Sequence, residues 1–157
     1  LPPEHYQAGI DRINQLEQDT SDLTEALPGA VELLTSLPAG VWTVCTSANP
    51  NLGRARLQAA GLPVPGELVH SHDVENGKPH PEPYLLGAAR LGLDPADCVV
   101  FEAAPAGVAA AEAAGVGLIV GVGEKVLDGP ADVVVRDLTG ITFIDGELTL
   151  PDKNRLR

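Results

Sequence analysis

Apolar positions in this chain keep two rhythms. At the front they step by three and four: Tyr6, Ile10, Ile13 and Glu17 share a side, which predicts a helix over 4–18. Farther on they gather into short solid blocks rich in β-branched residues. VWTVCT (41–46), DCVVFE (97–102), GLIVGV (117–122) and DVVV (132–135) read as buried strands, and ELVHSH (67–72) as a shorter one. Helices are predicted between the blocks. Pro28 opens one with Val31, Leu34 and Leu37 on one side, and Pro38 and Gly40 end it. Asn49 can cap another that starts near Pro50 and ends at Gly61. PEPYLLGAARLG carries a stripe of Tyr84, Ala88 and Leu91, and PAGVAAAEAAG is closed by Gly115. In ITFIDGELTL, Asp145-Gly146 between alternating residues predicts a hairpin.

Strands and helices alternate from residue 41 to 122, the pattern of an α/β domain with a parallel sheet and helices on both faces, here followed by a C-terminal β-hairpin. Ligands of such sheets lie beyond the carboxyl ends of the strands. Thr46 and Ser47 follow one strand, Glu102 and Ala103 another, and ENGKPHPEP brings Lys78 near the same rim.

Composition narrows the partners. The 157 residues carry 22 acids against 10 bases, a net charge of −12, which repels phosphate backbones and anionic lipid. Neither nucleic acid nor a membrane is expected as a partner. No apolar run approaches the roughly 20 residues of a spanning helix. Cys45 and Cys98 sit in predicted strands and read as buried, reduced thiols, so a cytoplasmic setting is expected.

The rim residues suggest phosphoryl chemistry. Thr46, Ser47 and nearby backbone N–H groups can hold phosphate oxygens, and Lys78 adds a compact positive charge. A carboxylate at Glu102 can bind Mg²⁺, which prefers oxygen ligands. Each residue also has a plainer reading. Thr46 can be a strand former, Lys78 a solvated loop residue, and Glu102 a favourable charge before a helix. His70 and His72 read as rim histidines, and GVGEKV does not complete a dinucleotide fingerprint.

Three stretches carry a resemblance. VCTSANPNLGRARLQAAGL, ENGKPHPEPYLLGAARLGLDP and CVVFEAAPAGVAAAEAAG resemble, in order, the second, third and fourth motifs of haloacid dehalogenase-like (HAD) hydrolases. They are most similar to small sugar-phosphate and glycerol-phosphate phosphatases and beta-phosphoglucomutases. The resemblance spans roughly residues 28–122 and implies a Rossmann-like, HAD-like core that uses Mg²⁺. It makes Thr46 the hydroxyl that binds the transferring phosphoryl group, with Ser47 and Asn49 in the adjoining loop. Lys78 becomes the lysine that balances phosphate and nucleophile charge, a vestigial or auxiliary catalytic group here. Glu102 matches the first of two acids, a weak metal ligand by itself.

The chain departs from that pattern twice. Ala103 stands where the second acid, a magnesium ligand, is expected, and no aspartate fits the DxDGT motif that supplies the nucleophile. The resemblance therefore implies residues 1–26 as the remnant of a helical cap with its linker. It implies 27–157 as a HAD-like core without its first strand. The expected function is a phosphatase-family domain, catalytically impaired, with weak or absent Mg²⁺ binding and a small phosphate-containing ligand or inorganic phosphate as partner. The alternatives are a non-catalytic binding or assembly module, and a C-terminal piece of a Mg²⁺-dependent sugar-phosphate phosphatase completed by a missing N-terminal segment. A second chain or copy is a candidate to complete the sheet.

Overall fold

Valine and isoleucine dominate the runs that pair into the central sheet. In the computed structural model, which describes residues 25–66 and 68–157, β1 (Val99–Glu102), β2 (Leu118–Val122) and β3 (Val133–Val135) lie parallel in the order β1-β2-β3. The register sets Val100 beside Ile119 and Val120 beside Val133. The helix expected over 4–18 lies outside the described residues.

Side chains alternate across the pleat, so each strand feeds two cores. Val100, Ile119 and Val134 meet Val108 and Ala111 of α4 (Pro105–Ala114), with Tyr84 of α3 (Glu82–Leu91) packed against them. Val120, Val122, Val133 and Val135 face the other way, onto Leu33 of α1 (Ala30–Ser36), Ile141 and Leu148 of the hairpin. Both faces are therefore covered, as the strand–helix alternation predicts. Full burial of one such valine stabilises by about 1.5–3 kcal/mol.

Two features close the β3 side. The last residues run antiparallel to β3: Val134 N–H donates to Arg157 C=O at 2.9 Å and Leu156 N–H to Val134 C=O at 2.7 Å. The hairpin of β4 (Thr142–Ile144) and β5 (Glu147–Thr149) turns at Asp145 and Gly146, both at positive φ (53° and 79°), as the Asp-Gly pair predicts.

Several sequence expectations need correction. Residues 41–46 are not a buried strand but a half-exposed extended segment with one parallel bridge, Cys45 to Val69. A ladder needs neighbours, and among the described residues only Val69 supplies them: Val69 N–H donates to Val44 C=O, and Thr46 N–H to Val69 C=O, both at 2.9 Å. Past Val69 the chain turns into a 3₁₀ segment, Ser71–Asp73, rather than continuing as a strand. Cys98 precedes β1 instead of lying in it, and both cysteines are free and only partly buried. On α1 the buried positions are Ala30 and Leu33, while Val31 is exposed. Gly29, at φ +85° against Leu138 and Thr139, fixes that orientation.

Candidate functional site

The rim is built from four local structures. Asn49 caps α2 (Pro50–Ala59), its side-chain oxygen accepting from Leu52 N–H at 2.9 Å. Helix α2 seats Gly53 against the Thr46 methyl, where a Cβ would stand 3.0 Å away. Thr46 Oγ1 accepts from Ala48 N–H at 3.1 Å, so the hydroxyl proton is left to donate outward. Ser47 between them is exposed.

Lys78 arrives on a loop held by α3. The Glu82 carboxylate accepts from Glu75 N–H and Asn76 N–H, each at 2.9 Å, and from the Asn76 amide at 3.1 Å. Those N–H groups hold the Glu82 carboxyl below its ordinary value of 4.5. A depressed carboxyl stabilises the loop above that value, and the contribution is lost as pH falls through the lower one. The amide shifts of Glu75 and Asn76 should therefore move together with a midpoint below 4.5. Amides that stay still from neutral to strongly acid pH would contradict this.

The Lys78 ammonium donates to Cys45 C=O at 2.8 Å and lies 3.6 Å from Glu102 Oε2. It also stands 4.9 Å from the centroid of the Tyr84 ring. Tyr84 O–H donates to the same Glu102 oxygen at 2.8 Å. Lysine and carboxylate side chains are only 12% and 15% exposed, so their charges act through little water. Burial, then the Glu102 charge, raises the Tyr84 phenol well above its usual range, which keeps it a donor. Burial likewise pushes the Cys45 thiol up to about 11, so it stays protonated and unreactive. On α4, Gly107 leaves room for the Glu102 carboxyl, which any Cβ there would strike.

Of the residues singled out in the sequence, the structure brings Lys78 and Glu102 together at the tip of β1, with Lys78 also bonded to the segment that ends at Thr46. Asn49 spends its side-chain oxygen on the helix cap. The sequence reading missed Tyr84, taken only as packing, and Glu82, which holds the lysine loop. It also missed Arg90, which donates to Leu68 C=O at 2.7 Å and to Asp73 at 3.1 Å and so pins the neighbouring turn. His70 serves that same turn: it accepts from His72 N–H at 3.2 Å and pairs with Asp73.

A magnesium site does not assemble from these residues. No group of three His, Cys, Asp or Glu side chains stands together among the described residues. One Glu102 oxygen is shared by Tyr84 and Lys78, and Ala103 offers no oxygen.

A sequence model described as haloacid dehalogenase-like hydrolase matches residues 3–115. The chain belongs to this family. Hexitol phosphatase A of Escherichia coli is 46% identical over 110 residues, which cover 69% of this chain and 51% of that protein. Glycerol-1-phosphate phosphohydrolase 2 of Saccharomyces cerevisiae is 38% identical over 126 residues, 71% of this chain and 50% of that protein. The chain thus spans about half the length of these HAD relatives. A solved HAD hydrolase from Entamoeba histolytica superposes with a TM-score of 0.74 at 18% identity, covering 88% of this chain and 67% of that one. At that identity the match shows the HAD fold alone. No described helix is long and apolar enough to cross a membrane.

Proposed function

We propose that these residues form the phosphate-holding half of a HAD phosphatase site, without the group that attacks phosphorus. One observation carries the reading: a partly buried ammonium, Lys78, sits at the strand tips between Cys45 C=O and Glu102. An ammonium has three donors, and at most two are engaged there, so one remains for an anion. The Thr46 hydroxyl proton and the exposed Ser47 lie on the segment to which Lys78 is bonded. Small sugar or polyol phosphates are the ligand class, by similarity to the hexitol and glycerol-1-phosphate enzymes.

Glu102, whose Oε2 accepts from Tyr84 and faces Lys78 at 3.6 Å, is a poor magnesium ligand by itself.

A second role, assembly with a further strand, is favoured by the edges of the sheet. Among the described residues β1 pairs on one side only, with β2, and the 41–46 segment only at Val69. A strand entering beside β1 would pair its free edge, from another segment or a second chain.

The test of the phosphate reading is a titration with inorganic phosphate, followed by amide shifts. Binding near the millimolar range is expected, since few contacts are available, with shifts at residues 46–49 and 78. Lys78→Ala should abolish them. Unmoved amides in the parent chain at high phosphate would overturn the assignment.

A further inference from the structure

We propose that Tyr84 is a positioning residue: its phenol holds the Glu102 carboxylate off the Lys78 ammonium and so keeps that ammonium available to an anion. The proposal rests on the reading of Lys78 as the phosphate-binding charge.

The geometry has three parts. Tyr84 O–H reaches Glu102 Oε2 at 2.8 Å, a short bond to a charged acceptor. Lys78 Nζ is 3.6 Å from the same oxygen, beyond hydrogen-bond length. On its other side the carboxylate is packed against Gly107 of α4, so α4 and α3 clamp it from two directions. The Tyr84 ring meanwhile lies beside the ammonium, 4.9 Å from its centroid. One aromatic side chain therefore touches both partners of an ion pair and sets the distance between them.

Remove the phenol oxygen and the balance changes. Glu102 Oε2 then has Lys78 as its nearest donor, and a partly buried carboxylate left without a hydrogen bond is costly. The carboxylate closes on the ammonium, the pair tightens, and an incoming phosphate must compete with it. The ring itself need not be lost, since phenylalanine keeps the packing and the ring beside Lys78.

Tyr84→Phe should weaken inorganic phosphate binding about two- to five-fold, the range expected when a close ion pair competes for the site. Glu102→Gln is isosteric, fits the Gly107 recess and removes the competitor, so it should tighten phosphate binding. In the Glu102→Gln background, Tyr84→Phe should have no further effect. A merely structural tyrosine would show the same loss in both backgrounds. The exchange rate of the Lys78 ammonium protons, followed by ¹H–¹⁵N spectra, reads the contact with no anion present. It should slow in Tyr84→Phe and quicken in Glu102→Gln. Wild-type binding by Tyr84→Phe, or a loss that persists undiminished beside Glu102→Gln, overturns the proposal. Should the parent chain not bind phosphate at all, the phosphate reading fails. The ammonium exchange then decides for Tyr84, with an unchanged rate in Tyr84→Phe counting against it. If Tyr84→Phe does not fold, Glu102→Gln alone decides: tighter binding and faster exchange support the competition, and weaker binding refutes it.

Discussion

Purified and supplied with Mg²⁺, these 157 residues should release no detectable product from a generic aryl phosphate, and Ala103→Asp should not restore turnover. Hydrolysis through an aspartyl-phosphate type of intermediate needs a free carboxylate facing the bound phosphorus. The tip carboxylate, Glu102, is engaged by Tyr84 at 2.8 Å and lies 3.6 Å from Lys78. An aspartate at 103 would add a magnesium ligand but no attacking group. Loss of a nucleophile lowers turnover about a million-fold in a well-studied hydrolase, far below the detection limit of such an assay. Steady turnover that Lys78→Ala abolishes would show that the chain supplies its own nucleophile.

Deleting Asn154–Arg157 should cost about 4–7 kcal/mol of stability, from six lost hydrogen bonds of about 0.5–1 kcal/mol each and about 1 kcal/mol for one half-buried apolar side chain. The deleted residues accept from Val134 N–H at 2.9 Å and Arg136 N–H at 2.8 Å, and donate to Val134 C=O at 2.7 Å. The Asn154 amide donates to Asp137 C=O at 2.8 Å and Thr139 C=O at 3.1 Å, and Arg157 donates to Ala131 C=O at 2.6 Å. Leu156 also packs on the core around Val108 and Val134. Against a typical domain stability of about 5–15 kcal/mol this is a large fraction, and the newly bare β3 edge invites association. Urea unfolding with sedimentation alongside would measure both. An unchanged midpoint would mean that the tail is ornamental to the sheet.

Local chemistry made much of this fold legible. Asn49 followed by Pro50 announced a capped helix, and the cap bond is there. Asp145-Gly146 announced a hairpin because few other pairs accept positive φ at both positions. The blocks at 117–122 and 132–135 became β2 and β3 because both their faces are covered, one by α4 and the other by α1 and the hairpin. VWTVCT failed as a strand for the opposite reason. Its composition favours a strand, but a ladder depends on neighbours that local composition does not encode, and only Val69 pairs with it among the described residues. The site was legible in part. Lys78 and Glu102 could be named from their positions after strands, whereas Tyr84 could not. A tyrosine in an apolar stripe looks the same whether its hydroxyl meets water or a carboxylate. Glu82 was hidden likewise, as an ordinary acid in a first helical turn whose loop partners lie six and seven residues upstream.

The most direct test of a site that holds phosphate without cleaving it is a ³¹P spectrum of a hexitol phosphate incubated with the chain and Mg²⁺. The phosphomonoester signal should be broadened by the parent chain and sharp again with Lys78→Ala, with no inorganic phosphate growing in. A growing phosphate peak that scales with protein concentration, or a substrate signal indifferent to the parent chain, would contradict it.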